Sequence, residues 1–475
     1  MATKVAIIGA GPGGYIAAVR AAQLGAEVSL VERDNVGGTC LNRGCIPSKV
    51  MLTTAEMLEK FRRAQEFGLR LDGGVSPDMG LLAARKARVI QDQSKGILDL
   101  LGRNKVEYLR GKAIVSGHGS LTVQSPDGQI REVAWDKLIV ATGTQPFEFP
   151  AIPFEAGRIL SSDDVLSLQE IPKSVMILGG GVIGCEFAFM LGMLGSEVTL
   201  VEAMDRLLPL PSVDEDCSKV LQREMKKRKI KFIVSRTVTS VEKDAEKLRV
   251  TLGSSPFSSG TRDEKPVTVE IEKLVVCIGR SPNTAGLGLE KLGTVADAKG
   301  WITVNERMET NVPGVYAVGD ILGPSRIMLA HVASTEGLVA AENAMGGNRV
   351  MEYDVVPGAI FTVPEIANVG LTETGARRKG LPVGAASVLF RTIGKAQITG
   401  DIAGEAKIVF NSESGKILGV HIIGPHATDL IAEGTLAVKM GATVRDLAET
   451  IHAHPTLPEV MSEASFRSLE FISNG

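Results

Sequence analysis

This chain of 475 residues has few cysteines, no excess of positive charge and no long apolar run. The formal net charge is −3, so no excess of basic residues predicts a surface for nucleic acid or for an anionic membrane. No apolar run reaches about 18 residues, the length that a membrane-spanning helix needs, and we expect no membrane span. The five cysteines are too few, and odd in number, for the disulfide framework of a secreted protein.

The start of the chain indicates an interior compartment. A strand pattern already begins near Lys4 and Val5, which leaves no room for a signal peptide. We therefore expect a cytoplasmic protein, or one inside an organelle if an import peptide has been removed. A disulfide in such a reducing compartment is more often catalytic than structural.

Glycine is abundant, with 53 copies, and the first of two glycine motifs follows an apolar run that ends at Ile8. The run is short and β-branched, which is typical of a buried parallel strand. Gly9, Gly11 and Gly14 follow at the GxGxxG spacing, and after a helical pattern a second strand ends at Glu32. In such a βαβ unit the backbone can approach a pyrophosphate, and the acid accepts the hydroxyls of an adenosine ribose. The alternative is a glycine-rich turn without a ligand.

The same unit occurs a second time, at residues 176–202. Gly179, Gly181 and Gly184 repeat the glycine spacing, and Glu202 ends the second strand of this unit. Two units predict two bound dinucleotides, and two adjacent dinucleotides indicate electron transfer between them. The alternative is a duplicated fold in which one site is dead. The predicted fold class is α/β, with two Rossmann-like dinucleotide-binding domains.

Cys40 and Cys45 lie five positions apart, directly after the first unit. An ideal helix would hold their Cα atoms roughly 8–9 Å apart, whereas a disulfide needs less than about 7 Å. If the two bond, the backbone between them is not a regular helix, and it bends most easily at Gly44. Pro47 fits the first turn of a following helix, which would place Cys45 at a helix N-terminus, where the dipole favours the thiolate. The alternatives are two buried structural cysteines and half of a metal site.

The position of the cysteines assigns the two nucleotides. A dithiol needs an acceptor that can contact sulfur covalently or by charge transfer, and flavin does so while nicotinamide does not. We therefore assign FAD to the first unit and the nicotinamide to the second. Glu202 favours NAD over NADP, because a carboxylate binds a free ribose hydroxyl and repels a phosphate. Arg206 is the counter-signal, although it stands beside Asp205.

Two further candidates lie late in the chain. Asp320 follows a predicted strand, and ligands bind at the C-terminal ends of such strands; the alternative is a helix cap. His454, with Glu459 five residues later, could form an imidazole–carboxylate pair that deprotonates a thiol near neutral pH. The alternative is a structural histidine. We expect no metal, because no carboxylate or cysteine completes a ligand spacing with the histidines of this segment.

The remaining pattern predicts the elements around these sites. We expect helices at 48–67, 79–101 and 326–346, a hairpin tip at 254–265, and strands at 137–143 and 273–279 that close the two sheets. After residue 347 the pattern changes to hairpin strands and helices without a phosphate loop, which predicts an α+β domain. We place an FAD-binding domain at 1–147, a NAD-binding domain at 148–275, a return to the FAD domain at 276–347 and a third domain at 348–475.

In combination, these motifs resemble those of the flavoprotein disulfide reductases. The stretch GGTCLNRGCIPSK carries the two cysteines, and ATG, GVYAVGD, MLAH and HAHPTLPE follow in order. The resemblance runs over essentially the whole chain, and its cysteine and HPT motifs are highly specific. It implies a homodimer in which residues 348–475 form the C-terminal α+β dimerisation domain.

The resemblance also implies contacts for both cofactors. FAD would be bound by the first glycine motif and Glu32, together with Thr39, Lys49, Ala113, Gly143, Asp320, Met328, Leu329, Ala330 and His331. NAD would be bound by the second glycine motif and Glu202, together with Val238 and Gly279. Lys49 would pair with Glu186 of the nicotinamide domain, and the N-terminus of the 326–346 helix would face the flavin.

The implied activity is that of the members that oxidise dihydrolipoamide. Cys40 would exchange with the substrate, Cys45 would face the flavin, and hydride would pass to NAD to give NADH. His454, oriented by Glu459 and supplied by the other subunit, would be the acid–base catalyst. The partners would be lipoyl-bearing subunits of a 2-oxo acid dehydrogenase or glycine cleavage complex. Arg43, where many members have a small apolar residue, is expected to lower the pKa of the thiolate or to bias partner choice.

Two other functions stay open at this point. An NADPH-dependent disulfide reductase similar to glutathione reductase should carry basic residues at the position of Glu202. A docked and mainly structural subunit of a multienzyme complex would not need the complete set of Cys40, Cys45, His454 and Glu459, although the set does not exclude docking.

Overall fold

The computed structural model describes residues 1–258, 265–294 and 296–473, so the hairpin tip expected at 254–265 lies partly outside the described residues. The helices are α1 (Pro12–Gln23), α2 (Gly38–Arg43), α3 (Cys45–Arg62), α4 (Met79–Arg103), α5 (Ser162–Val165), α6 (Val182–Leu194), α7 (Glu215–Lys227), α8 (Ala330–Ala344), α9 (Glu373–Arg378), α10 (Gly394–Thr399), α11 (Ala427–Met440), α12 (Val444–Glu449) and α13 (Glu459–Ser473). None of the helices in these ranges has the length and apolar character of a membrane span.

The strands are β1 (Lys4–Ile8), β2 (Glu27–Glu32), β3 (Glu107–Arg110), β4 (Lys112–Gly117), β5 (Ser120–Gln124), β6 (Ile130–Ala134), β7 (Lys137–Val140), β8 (Thr144–Pro146), β9 (Ile159–Leu160), β10 (Ser174–Leu178), β11 (Glu197–Val201), β12 (Lys231–Ile233), β13 (Arg236–Lys243), β14 (Leu248–Ser254), β15 (Val267–Ile271), β16 (Lys273–Val276), β17 (Arg280–Pro282), β18 (Val315–Ala317), β19 (Gly358–Ile360), β20 (Glu365–Gly370), β21 (Val383–Leu389), β22 (Glu405–Asn411) and β23 (Ile417–Gly424).

Two parallel sheets of five strands carry the glycine motifs. Their strand orders are β18-β7-β1-β2-β3 and β12-β11-β10-β16-β9. The central strands β1 and β10 are buried apart from their first residues, as expected for parallel strands that are covered on both faces. The predicted βαβ units, β1-α1-β2 and β10-α6-β11, are confirmed, because each pair of strands is adjacent and parallel.

The chain returns to the first sheet after it has built the second. Strand β18 pairs in parallel with β7, and the antiparallel pair of β8 and β17 lies on the path between the sheets. Our expectation that the strands at 137–143 and 273–279 close their sheets is wrong. Both are interior strands, with β18 and β9 at the edges. Strand β9 has two residues, too few for a periodic pattern to reveal it. Strand β18 is the strand predicted before Asp320, but no local pattern indicates its place at the edge of the sheet.

A third sheet of five strands, called the third sheet below, is antiparallel, in the order β19-β20-β23-β22-β21. Helix α11 packs on β20 and β23, and α13 packs on β21 and β22. This confirms the expected α+β region. Strand β21 is missing from the prediction, because small residues such as Gly384 weaken its apolar alternation, and α13 is missing as well.

Two helices differ in extent from the prediction. Helix α3 begins at Cys45 instead of residue 48 and ends at Arg62, before a 3₁₀ turn at Ala64–Phe67. Helix α8 begins at Ala330 instead of residue 326, because the backbone of Leu329 is extended, with φ −129° and ψ 145°. Helix α8 ends at Ala344, two residues before the predicted end at 346.

A buried ion cluster joins the third sheet to the second. The Lys407 Nζ on β22 lies 3.3 Å from Asp214 Oδ1, 2.9 Å from Asp216 Oδ2 and 2.9 Å from Glu373 Oε2. Asp214 is the N-cap of α7 and accepts the Asp216 N–H, so the cluster ties β22 to that helix. The domain boundaries at 147/148, 275/276 and 347/348 stay a prediction.

Candidate dithiol and dinucleotide sites

The two cysteines lie on either side of a helix break. Cys40 belongs to α2, and Cys45 is the first residue of α3. Between them, Gly44 has φ −145° and ψ −116°, so the two helices are not continuous. A Cβ at Gly44 would lie 2.9 Å from the Thr39 carbonyl oxygen, too close for a larger residue without a shift of the backbone. The predicted break at Gly44 and the helix N-terminal position of Cys45 are confirmed.

The two thiols are free and unequal. The Cys40 thiol donates a hydrogen bond to the Cys45 sulfur, and this bond, together with the charge of Lys49, lowers the pKa of Cys45 to about 7. The same bond and burial raise the pKa of Cys40. At neutral pH the pair therefore keeps its proton on Cys40, while much of Cys45 is thiolate.

Lys49 connects the dithiol to the second sheet. Its Nζ lies 2.8 Å from Glu186 Oε2 and 4.5 Å from the centre of the Phe361 ring. Glu186 is a buried residue of α6, and its other oxygen accepts the Phe361 N–H at 2.9 Å. The ion pair that the resemblance implied between Lys49 and Glu186 is present, and it brings together segments from three parts of the chain.

Arg43 is paired with a carboxylate outside the dithiol. Its guanidinium forms an ion pair with Asp34, in the loop after β2. The cation that lowers the pKa of Cys45 is Lys49. Arg43 therefore secures the loop beside the first nucleotide turn.

The first glycine motif forms a tight turn held by its terminal acid. Glu32 is buried and accepts the Ala10 N–H at 2.7 Å, and burial raises the pKa of this carboxyl. A Cβ at Gly14 would lie 1.8 Å from the Gly9 carbonyl oxygen. Only glycine therefore allows this approach of the helix to the strand.

The second motif repeats the same geometry. Glu202 accepts the Gly180 N–H at 2.6 Å, and a Cβ at Gly184 would lie 1.8 Å from the Gly179 carbonyl oxygen. The guanidinium of Arg206 donates to backbone carbonyls of Leu208, Leu210 and Val213. Arg206 is thus engaged by its own loop, and the charge beside the glycine turn is that of Glu202.

Helices α1, α6 and α8 start at the predicted cofactor contacts and have no side-chain cap among the described residues, a property that they share with α3 and α11. Helices α4 and α7, by contrast, are capped by Asp78 and Asp214. A Cβ at Gly181 would meet nothing within 4 Å in the described chain, so the space over the start of α6 is open. Uncapped N–H groups that face open space fit the pyrophosphate of a dinucleotide.

Asp320 follows β18 at the C-terminal edge of the first sheet. Thr144 donates to its Oδ2 at 3.1 Å, and Arg280 donates to the Thr144 hydroxyl at 2.6 Å. Burial raises the pKa of Asp320, and the charge of Arg280 opposes this shift. Beside Gly9, the Thr142 hydroxyl is buried and has no hydrogen-bond partner in the described part of the chain. A carboxylate and an unpaired hydroxyl here fit the hydroxyl groups of FAD.

The other predicted cofactor residues lie along the connections between sheets. Thr39 precedes Cys40 in α2, Ala113 is in β4, Gly143 lies between β7 and β8, Val238 is in β13 and Gly279 precedes β17. Met328 and Leu329 precede α8, and Ala330 and His331 begin it. Their cofactor contacts stay predictions.

His454 and Glu459 form a hydrogen-bonded pair at the start of α13. His454 Nδ1 lies 2.8 Å from Glu459 Oε1, and the other oxygen of Glu459 accepts the Thr456 N–H at 2.9 Å. The side chain of His454 is 77% exposed, so the oriented ring is open to a reactant. His452 forms a second pair, with Glu433 at 2.8 Å. Sequence reasoning missed this pair because Glu433 comes from α11.

Comparison with known proteins now adds to this geometry. Residues 3–337 match the family described as pyridine nucleotide-disulphide oxidoreductase, and residues 356–465 match the dimerisation domain of that family. The chain belongs to the pyridine nucleotide-disulphide oxidoreductases. Among relatives of this oxidoreductase, dihydrolipoyl dehydrogenase of Chlamydia muridarum is 41% identical, over 98% of this chain and 96% of the relative. A dihydrolipoyl dehydrogenase of Bacillus subtilis is 38% identical, over 98% of both chains.

Solved structures agree with the fold of the oxidoreductase. LpdA from Mycobacterium tuberculosis superposes with a TM-score of 0.88 at 29% identity, over 98% of this chain and 99% of the other. The flavoprotein disulfide reductase RclA from Escherichia coli superposes with a TM-score of 0.84 at 25% identity, over the same shares.

The structure of this oxidoreductase brings some predicted residues together and adds others. Cys40, Cys45, Lys49 and Glu186 form one connected group, and His454 with Glu459 forms another. Sequence reasoning missed Arg280, although it directly follows the predicted cofactor residue Gly279. Position beside a predicted residue was the one signal that could have found it.

Proposed function

We propose that this chain oxidises dihydrolipoyl groups to lipoyl groups and passes hydride to NAD. The observation that carries the proposal is the unequal pair of Cys40 and Cys45 beside Lys49, in a chain with two glycine-rich dinucleotide turns. Relatives that are 38–41% identical over nearly the whole chain are dihydrolipoyl dehydrogenases, which supports the same reaction here.

The enzyme uses FAD and NAD. FAD would be held by the first glycine turn with Glu32 and Asp320, and NAD by the second turn with Glu202. The chemistry supplied by bound FAD is two-electron oxidation of the dithiol, with the electrons leaving as hydride on NAD. The engagement of Arg206 by its own loop supports NAD over NADP, since Glu202 would repel a 2′-phosphate.

The thiols take different parts in the exchange. With the Cys40–Cys45 disulfide formed, a substrate thiolate attacks the Cys40 sulfur and Cys45 leaves as a thiolate. The second substrate thiol then attacks the substrate sulfur of the mixed disulfide and expels Cys40. The substrate is now a disulfide, and both cysteines are reduced. Cys45 suits the leaving role, because the positive charge of Lys49 stabilises its thiolate.

His454 is the proposed acid–base group. Its imidazole would take the proton of the attacking substrate thiol, and Glu459 would hold the ring and stabilise its charged form. The exposure of His454 supports a reactant that arrives from outside its own domain. The match to a dimerisation domain indicates a homodimer, and we propose that His454 acts on the dithiol of the other subunit.

The protein partners and the compartment belong to this proposal. We propose that the physiological substrate is the lipoyl arm of a 2-oxo acid dehydrogenase or glycine cleavage complex. A redox-active dithiol favours the cytoplasm or an organelle interior. An Arabidopsis thaliana relative, 38% identical, is a mitochondrial protein.

Steady-state kinetics of the purified yellow protein test the function. Dihydrolipoamide should be oxidised with formation of NADH, and kcat/KM should favour NAD over NADP by more than roughly tenfold, or ~1.4 kcal/mol. Cys45→Ser should keep bound FAD and lose lipoamide turnover. Unchanged turnover in Cys45→Ser would contradict the mechanism, and a preference for NADP with glutathione disulfide would favour the alternative reductase.

A further inference from the structure

Glu336 is a buried carboxylate in α8 that the proposed reaction does not use. The residue is 1% exposed. Its Oε2 accepts the Gly319 N–H at 2.7 Å, and its Oε1 accepts the Tyr353 hydroxyl at 2.6 Å. Both carboxylate oxygens are therefore engaged, one of them by the backbone of the turn that carries Asp320.

The Gly319 turn is an unusual piece of backbone. Gly319 has φ +78°, a left-handed conformation that favours glycine, and it begins a single 3₁₀ turn, Gly319–Leu322. The strand before it, β18, has three residues. Such a short strand and one 3₁₀ turn provide few hydrogen bonds of their own. The bond that Gly319 donates to Glu336 therefore restrains the backbone that carries Asp320, while Thr144 holds the Asp320 side chain.

Keeping a carboxylate at this position is costly to the fold. Desolvation raises the pKa of Glu336 to about 7, and the neighbouring carboxylate of Asp320 adds to the shift. The Tyr353 and Gly319 hydrogen bonds and the charge of Arg326 oppose it. Arg326 itself stacks on the Tyr353 ring, 4.8 Å from its centre. An apolar residue would fill the space with less desolvation, so the carboxylate serves its hydrogen bonds and not the packing of α8.

Helix α8 also contacts the first glycine turn. A Cβ at Gly337 would lie 2.3 Å from the Gly13 carbonyl oxygen, so α8 and α1 pack in direct backbone contact. Gly337 thus fixes the position of α1, whose N-terminus would face the pyrophosphate. Its neighbour Glu336 holds the turn that carries Asp320. One helix sets the distance between the two predicted FAD contacts.

We propose that Glu336 is a positioning residue for FAD binding. Glu336 accepts the Gly319 N–H and thereby fixes the turn from which Asp320 presents its carboxylate to the cofactor. Tyr353 acts in support by holding the second carboxylate oxygen. The proposal rests on the proposed function in one respect, the binding of FAD at Asp320. The part of FAD that Asp320 would contact is the polyhydroxyl chain of the cofactor.

FAD binding to the reconstituted apoprotein at pH 8 tests the proposal, with flavin fluorescence quenching and visible circular dichroism as readouts. Glu336→Ala should weaken FAD binding roughly ten- to hundred-fold, the usual loss of a hydrogen bond to a charged group, and alter the flavin dichroism. Glu336→Gln keeps an oxygen acceptor for Gly319 and should restore affinity to within a few-fold. Tyr353→Phe should give a smaller loss, because the Gly319 bond remains.

Asn343→Ala is the matched control. Asn343 is a buried polar residue of the same helix, but it bonds to the Arg307 and Arg349 backbone and not to Gly319. The Asn343→Ala substitution should lower the Tm of the apoprotein, because the loss of a buried hydrogen bond destabilises the fold. Its FAD dissociation constant should stay within about twofold of the wild-type value. Glu336→Gln supplies a second, near-isosteric variant if Glu336→Ala does not fold.

The outcomes separate this proposal from the proposed function. Wild-type FAD affinity and dichroism in both Glu336→Ala and Tyr353→Phe would overturn the positioning role while FAD binding stands. The positioning role would also be overturned if Glu336→Ala and Asn343→Ala lost FAD affinity equally, each in proportion to its decrease in apoprotein Tm. If the wild-type chain bound no FAD, the proposed function itself would fail.

Discussion

At the scale of single residues, the notable result is that two identical thiols acquire different acidities. The Cys40 thiol donates to the Cys45 sulfur, and Lys49 adds its positive charge. The donor is thereby kept protonated and the acceptor is thiolate near neutral pH. The sulfur that would leave first in the proposed exchange is the one that carries charge most readily.

The pH dependence of Cys45 alkylation tests this acidity in the reduced protein. Because the thiolate is the reactive form, the rate should rise as the pH passes through about 7, the value to which the pKa of Cys45 is lowered. Cys40→Ala removes the donor and should move the midpoint up toward the ordinary thiol value of about 8.5. Cys40→Ser keeps a hydroxyl donor and is the control, with a midpoint close to the original. Equal midpoints in the alanine and serine variants would show that the hydrogen bond is not the cause.

At the scale of elements, the break between α2 and α3 decides the geometry of the dithiol. The two helices are separated by Gly44, where a Cβ would lie 2.9 Å from the Thr39 carbonyl oxygen and 3.4 Å from the Cys40 Cα. A larger residue would therefore push α2 and its cysteine away from α3. The spacing of the sulfur atoms depends on one missing side chain.

Gly44→Ala should destabilise the protein by ~1–3 kcal/mol, as overpacking does, and slow formation of the Cys40–Cys45 disulfide. Gly96→Ala in α4 is the matched control, because its Cβ would meet nothing within 4 Å in the described chain. Alanine there should stabilise the helix by ~1 kcal/mol. Urea unfolding and thiol titration measure both effects. A Gly44→Ala protein with normal stability and normal disulfide formation would refute the steric argument.

At the scale of the whole molecule, the proposed catalytic groups are distributed over separate units. Cys40 and Cys45 follow the first βαβ unit, whereas His454 comes after the strands of the antiparallel third sheet and is largely exposed. The Lys407 cluster joins the third sheet to the second. A homodimer in which His454 serves the other subunit would make each active site from two chains.

A mixed dimer tests that arrangement. A Cys45→Ser chain and a His454→Gln chain, carrying different tags, are produced together and the heterodimer is isolated. If His454 acts across the interface, one of its two sites has every group, and it should recover about half of the wild-type lipoamide turnover. The two mutant homodimers, mixed after purification, are the control. A heterodimer as inactive as its parents would mean that the histidine and the thiols act within one chain.

Several parts of the fold and site were open to prediction because they depend on residues close together in the chain. The two βαβ units follow from short apolar runs, glycine spacing and terminal acids, and the structure contains both. The break at Gly44 follows from the same local geometry. The start of α8 was misplaced, because the extended backbone at Leu329 leaves no mark in the apolar periodicity. The apolar pattern also placed the start of α3 three residues late, whereas Pro47 correctly indicated a helix N-terminus at Cys45.

The sequence by itself determined the nucleotide folds, the position of the redox pair and the presence of a third, different domain. Only the tertiary structure decided the edge strand β9, the edge position of β18, the engagement of Arg206 by its own loop, the unequal thiols and the hydrogen bond between Glu336 and Gly319. Lys49 and Glu186, for example, lie 137 positions apart. Glycine turns and helix breaks are set by sterics between neighbours in the chain, whereas pKa shifts and ion pairs depend on atoms that meet only when distant segments pack together.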